Sequence, residues 1–239
     1  GVLAALRIIY CYVGTAFLAD TWVRPVLLVL SLVTIFMGSM MAWRETVLKK
    51  RLAYSSVSQI SYALFGIFLM NPEGLAGGLL QAVFHAVAKC CLFLAAGSFT
   101  MNTGRISVKD VRGLGKYLPV TFGAFSMAAL SLTGIPPFAG FVSKWYLALG
   151  AMDAGLPVFS WLGPVILLFS ALLTAGYLFP VAVDAFFPGR DFEPGVKPGP
   201  EGGPLIAVPL LVLGTAVLVL GLLSGILTPY FTVLAEGLV

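Results

Sequence analysis

LPVTFGAFSMAALSLTGIPPFAGFVSKWYLALGA, residues Leu118–Ala151, carries one charge, Lys144, in a run too long for a single plain helix. A membrane-spanning helix needs roughly 20 apolar residues. In the middle stands GIPPFAG, Gly134–Gly140. Adjacent Pro136 and Pro137 remove two backbone donors and clash with the preceding turn. Two readings compete: two short spans, or one span built from two half-helices, Pro119–Gly134 and Ala139–Gly150.

The rest of the chain decides between them. Of 239 residues, 59% are hydrophobic and 10% charged, with mean hydropathy +1.01. Soluble domains carry about 25% charged residues, so most of this surface meets lipid. Further apolar runs lie at the N-terminus (GVLAALRIIYCYVGTAFLA) and at Pro25–Trp43, Ala53–Met70, Gly77–Met101, Val158–Phe187 and Pro204–Thr228. If the broken run crosses once, the fold class is all-α: a polytopic transmembrane helix bundle in one domain, 1–239, of about seven spans, the first incomplete.

Loop charges support a single crossing. Arg44, Lys49, Lys50 and Arg51 fill loop 44–52; Arg105, Lys109, Arg112 and Lys116 fill 102–117; Arg190 and Lys197 lie in the Pro/Gly-rich loop 188–203. The intervening loops hold Arg24 alone. Basic loops face the cytoplasm. The pattern therefore places a multi-pass protein in the cell (inner) membrane, with 44–52 and 102–117 cytoplasmic and the C-terminus outside. It also accounts for the net charge of +4 without a nucleic-acid partner.

Several classes drop out. There is no Walker motif, GxGxxG or metal-ligand cluster, and one histidine, so neither cofactor nor metal is expected. Cys11, Cys90 and Cys91 all sit in apolar runs without zinc spacing and read as thiols. Gly1 opens directly into an apolar run, unlike a signal peptide, which suggests a piece of a longer polypeptide. Tyr10, Tyr12, Trp22, Trp43 and Trp161 suit interface anchors.

Three basic residues lie inside apolar runs: Arg7, Lys89 and Lys144. A central Lys costs about 2.5–3.5 kcal/mol on insertion scales, so such residues are functional by default. Gln81, His85 and Lys89 fall at i, i+4 and i+8, one polar stripe down a helix face. Titratable and hydrogen-bonding groups in that order suit proton hopping; the competing reading is a helix–helix hydrogen-bond cluster. Lys144 follows the GIPPFAG break, where freed backbone groups can solvate an ion or water; a snorkelling lysine is the alternative. Ser55, Gln59 and Tyr62 share a helix face that can hold water beside the lysine helix, and Ser58 stands at i+4 spacing from Tyr62. Every acid lies in a loop or at a span edge. The partners of Lys89 and Lys144 are then water, another segment or another subunit.

These stretches resemble a known family. LKKRLAYSSVSQISY (Leu48–Tyr62), FHAVAKCCLFLAAGS (Phe84–Ser98), RGLGKYLP (Arg112–Pro119) and LTGIPPFAGFVSKWYL (Leu132–Leu147) look like the antiporter-type subunits shared by respiratory complex I, Mrp-type cation/proton antiporters and membrane-bound hydrogenases. GVLAALRIIY looks like another stretch of that family. Members have roughly fourteen helices in two inverted repeats, each with a broken helix. The resemblance covers the C-terminal half: the second repeat plus the last helix, without the first repeat's Glu–Lys pair. It implies that Lys89 is the lysine of the second half-channel, His85 the histidine one turn before, and Lys144 the lysine leading outward. Ser61 stands where the family often has glycine, and Gln81 where some members carry histidine, which shifts the relay toward water. SKWYLALGA leans toward the Mrp or hydrogenase branch.

The function expected is proton translocation through Lys89, His85 and Lys144, with Gln81, Ser55, Gln59 and Tyr62 lining the path. The implied partners are other membrane subunits of a larger complex, the lipid bilayer and protons; the residues leave sodium open. Any redox chemistry belongs to partner subunits. The alternatives are a non-transporting scaffold subunit and a membrane enzyme with His85 as general base, which lacks a nearby nucleophile.

Overall fold

A computed structural model describes residues 1–19, 21–189, 201 and 203–239. Helices dominate it: α1 (Val2–Leu6, continued by a π-helical stretch Arg7–Val13), α2 (Thr15–Ala19), α3 (Val23–Arg44), α4 (Leu48–Phe68), α5 (Pro72–Thr103), α6 (Pro119–Thr133), α7 (Ala139–Met152), α8 (Pro157–Phe186), α9 (Gly203–Leu222) and α10 (Ser224–Glu236). The long apolar run is split as read: α6 stops at Gly134, α7 starts at Ala139, and Pro136 and Pro137 lie between. Gly134 ends α6 at φ +90°, where a side chain would be strained, and its N–H bonds back to Leu130 and Ser131. Four helices, α3, α5, α8 and α9, are long and apolar enough to cross a membrane. The protein is a multi-pass, membrane-embedded helix bundle.

Backbone contacts sort the loops onto two ends. Val47 pairs with Ser107 as an isolated antiparallel bridge, Leu48 N–H bonds to Ile106 O, and Val108 N–H bonds to Thr46 O. The basic segments 44–52 and 102–117 therefore touch, although 44–52 is not all loop: α4 begins at Leu48, so Lys49, Lys50 and Arg51 lie in its opening turn. Gly113 N–H bonds to Asp184 O and Arg112 Nε to Pro188 O, bringing the end of α8 to the same place. Arg190 and Lys197 lie outside the described residues, as does most of 188–203. At the other end the Asn71 amide donates to Gly150 O, and Arg24 donates to Leu69 O and Ala154 O. Thus α6 starts at the basic end, and the chain leaves α7 at the opposite end.

The hub is α5, which packs against α4, α6, α7, α9 and α10. Asn71 caps it, accepting from Gly74 N–H at 2.9 Å, with Pro72 in the first turn. Close approach to α4 depends on Gly78: a Cβ there would stand 2.7 Å from Ala63 O and 3.3 Å from Gly66 Cα. Buried side chains of α5 join hydrophobic clusters with its neighbours, and a further cluster packs α3, α4, α7 and α8 together. Helix α4, the least apolar crossing, turns its hydroxyls and amides inward; Ser55, Ser58, Gln59 and Tyr62 are fully buried.

Five details depart from the reading above. The last run is not one helix to Thr228 but breaks at Leu223, and Gly221, just before the break, lies against the Pro137–Phe138 backbone. Helix α5 begins at Pro72 rather than Gly77, because the Asn71 cap and Pro72 start it early; Lys89 then lies about 26 Å along the axis, near the helix middle. Arg24 is no loop residue: it sits in the first turn of α3, buried by its carbonyl partners. Tyr10 is no interface anchor, since its buried hydroxyl donates to Ile67 O. Ser58 and Tyr62 bond not to each other but to other helices.

Candidate functional site: two lysines on a polar helix face

Lys89 is 5% exposed, and its amine donates to Leu52 O at 2.9 Å. Leu52 is in the second turn of α4, so Lys89 leans from the centre of α5 toward the basic end. A non-polar environment supplies the rest: Phe93 lies below the amine at 6.0 Å. Lys144 occupies the second turn of α7. Its amine reaches back across the break and donates to Leu132 O and to Thr133 O, the latter at 2.9 Å. These are carbonyls of the last turn of α6, which the prolines leave without helical donors. Among the described residues, neither amine has a carboxylate as hydrogen-bond partner.

Helix α4 joins the two. Leu52 holds Lys89, and the Tyr62 ring lies 5.5 Å from the Lys144 amine. Ten residues separate those positions, about 15 Å along the axis. Between them Gln81 Nε2 donates to Gln59 Oε1 at 2.8 Å, and Ser143 Oγ donates to Gln81 Oε1 at 2.6 Å. Ser143 also touches Gly140 O, and Gly140 N–H bonds to Ser131 Oγ, so this amide line ends in the helix break. Of the stripe on α5, Gln81 and Lys89 are therefore tied to α4. His85, partly buried, keeps a buried Nδ1 without a protein partner. Arg7 is exposed on the outside of the bundle.

Ser55 and Tyr62 turn to the far side of α4. Tyr177 Oη donates to Ser55 Oγ at 2.7 Å, and Tyr62 Oη to Leu167 O at 2.8 Å. Their partners on α8 escape a sequence reading that treats Val158–Phe187 as merely apolar. A signal was present: Ser170, Thr174 and Tyr177 fall at i, i+4 and i+7, one helical face. Ser143, beside Lys144 in SKWY, is likewise a polar residue that the lysine overshadows.

A cavity of about 180 Å³ opens beside Lys144, lined also by Thr133, Gly134, Trp145 and Leu168. The broken helix thus gives the amine both carbonyl partners and adjoining space.

Residues 1–174 match the NADH:quinone oxidoreductase/Mrp antiporter transmembrane family. The chain belongs to this family. Among its members, NADH-quinone oxidoreductase subunit N of Desulforudis audaxviator is 42% identical over 200 residues, which is 80% of this chain and 39% of that protein. F(420)H(2) dehydrogenase subunit N of Methanosarcina mazei is 33% identical over 93% of this chain and 45% of its own length. In the solved Mrp complex of Dietzia sp., one chain superposes with TM-score 0.85 at 28% identity, covering 99% of this chain and 50% of that one. Respiratory complex I of Thermus thermophilus contains another, with TM-score 0.82, 26% identity and 99% and 48% coverage. The chain therefore spans about half the length of the relatives it matches.

Proposed function

We propose that this chain moves protons across a cell membrane through Lys89, His85 and Lys144, as a subunit of a multisubunit complex of the complex I or Mrp kind. The observation that carries this reading is the placement of the two lysine amines. Lys89 is buried and Lys144 partly buried, each is held by backbone carbonyls rather than by a carboxylate of the described residues, and polar side chains of α4 lie between them. A fixed ion pair would hold its charge in place; an amine on carbonyls can lose and regain a proton without leaving a carboxylate unpaired. A scaffold gains nothing from two such costly groups. Gln81, Ser55, Gln59 and Tyr62 line the path, and His85 supplies an exchangeable nitrogen between Gln81 and Lys89. The basic loops face the cytoplasm on this reading, the C-terminus faces outward, and other membrane subunits supply the driving reaction.

The test is Lys89→Ala in the assembled complex, reconstituted in vesicles. Proton uptake falls sharply while native-gel mobility stays that of the intact complex. Normal uptake in an assembled variant overturns the relay.

A further inference from the structure

Two polar lines flank α4 between the lysines, and they differ in chemistry. The inner one, toward α5 and α7, is Gln59–Gln81–Ser143. The outer one, toward α3 and α8, is made of hydroxyls. Tyr177 Oη contacts Ser55 Oγ at 2.7 Å and Thr174 Oγ1 at 3.3 Å. One turn further along α8, Ser170 Oγ lies 2.7 Å from Ser39 Oγ, which lies 2.9 Å from Ser58 Oγ; Ser58 closes the triangle to Ser170 at 3.4 Å. Ser39, Ser55, Ser58, Ser170 and Thr174 are fully buried.

A hydroxyl donates and accepts through one oxygen, whereas an amide donates through nitrogen and accepts through oxygen. A proton can therefore arrive at a hydroxyl oxygen as the original one leaves. To pass through Gln59 or Gln81 it would force the amide into its imidic-acid form. In the serine triangle either oxygen of the Ser39–Ser58 and Ser39–Ser170 contacts can be the donor. Ser58 also donates to Ile35 O and Thr174 to Ser170 O, so the chain runs when these two hydroxyls turn from their carbonyls into the line. The line also has the right ends. It starts at Ser55, three residues beyond the carbonyl that holds Lys89. It finishes at Ser58 and Ser170, one turn on their helices from Tyr62 and from Leu167, the Tyr62 partner; Lys144 lies on the Tyr62 ring. Thr174 and Ser170, and Ser58 and Tyr62, are each four residues apart, about 6 Å of rise along their helices, so each of these two steps takes a bridging water or a turned hydroxyl.

We propose that protons pass between the levels of Lys89 and Lys144 along this outer hydroxyl line, with Tyr177, Ser170 and Ser39 as its essential members, and that the inner amide line, Gln59 and Gln81 with Ser143, borders the path and holds α4, α5 and α7 in register without carrying the proton. The first transfer breaks an N–H bond of the Lys89 ammonium, each hop between hydroxyls breaks one O–H bond as it forms the next, and the last forms an N–H bond on the Lys144 amine. The net step converts the Lys89 ammonium to an amine and the Lys144 amine to an ammonium. The proposal rests on the lysine relay.

The experiment measures proton uptake by vesicles carrying the assembled complex, with assembly read on native gels. Tyr177→Phe removes one oxygen and leaves the ring; Ser170→Ala removes one hydroxyl. Each lowers uptake about tenfold. Ser170→Thr, which restores a hydroxyl, recovers most of it, and Ser143→Ala, which cuts the inner line, costs less than either loss variant. Lys89→Ala serves as the reference. If it is inactive while Tyr177→Phe and Ser170→Ala transport normally, the hydroxyl line is wrong and the relay stands. If Lys89→Ala transports normally, the relay itself fails. A Ser170→Thr variant as inactive as Ser170→Ala overturns the proposal in favour of packing, and so does a Ser143→Ala variant more impaired than both.

Discussion

The amine of Lys144 lies 5.5 Å from the centroid of the Tyr62 ring, while the hydroxyl of that tyrosine donates to Leu167 O on α8. One side chain of α4 thus bridges the broken helix and its neighbour. The ring face favours a cation, and the carbonyls of Leu132 and Thr133 do the same. Among the described residues the amine is met by carbonyls and a ring face, with no carboxylate bonded to it.

The contact between Val47 and Ser107 fixes a topological outcome. Cysteines introduced at Lys49 and Arg112 are labelled by an impermeant maleimide from the same side of the membrane, and on the proposed orientation that side is the cytoplasm. Labelling both from outside reverses the orientation. Labelling from opposite sides contradicts the two crossings, α4 and α5, that lie between these residues and breaks the span count.

His85 sits one turn from Lys89 with its Nδ1 unbonded by protein. His85→Gln keeps a polar group there, and water can substitute for the exchangeable nitrogen. Its proton uptake falls less than that of Lys89→Ala. A loss equal to that of Lys89→Ala makes the imidazole itself indispensable.

Gly78→Val places carbon where Ala63 O already stands, 2.7 Å from an ideal Cβ. Overpacking of this kind costs about 1–3 kcal/mol, and α4 and α5 carry Gln59, Gln81, His85 and Lys89. The expected result is loss of assembled complex on native gels. Gly97, with nothing within 4 Å of its Cβ position, is the contrast; Gly97→Ala in mid-helix is neutral or stabilising by about 0.5–1 kcal/mol. Equal behaviour of the two variants would refute the close-contact account.

Glu45 accepts the N–H groups of Val47 and Thr46, both at 3.0 Å, and these bonds hold its carboxyl below the usual carboxylate range. A depressed value in the folded state means that the contribution is present above the unfolded value of about 4.3 and is lost as pH falls through the folded one. Protection of the Val47 amide, measured against its intrinsic exchange rate at each pH, therefore falls as pH drops through the folded value, and Glu45→Gln removes that pH dependence. Protection equally pH-dependent in the variant contradicts the assignment.

Much of this was legible in the sequence because lipid makes polar residues conspicuous. Lys89, His85 and Gln81 stood out at helical spacing, and GIPPFAG announced the break. The structure put Gln81 against Gln59 and Lys144 on the freed carbonyls. What stayed hidden was which helix each polar group faces. Spacing assigns Ser55, Gln59 and Tyr62 to one broad face, yet they part around α4: Gln59 turns to α5, Ser55 and Tyr62 to α8. That division depends on the neighbours on either side, which a single helical period does not encode. Arg24 was misread for the same reason. Its carbonyl partners belong to turns 45 and 130 residues away in sequence.

The most direct measurement compares proton pumping by Lys144→Arg and Lys144→Ala in the assembled complex. An arginine can keep both the charge and donors for Leu132 O and Thr133 O, but it hardly deprotonates. If Lys144 works by releasing a proton when the next one arrives from the Lys89 side, both variants stop turnover to a similar degree. Near-normal pumping by Lys144→Arg beside an inactive Lys144→Ala would show a permanent charge at the break and contradict the relay.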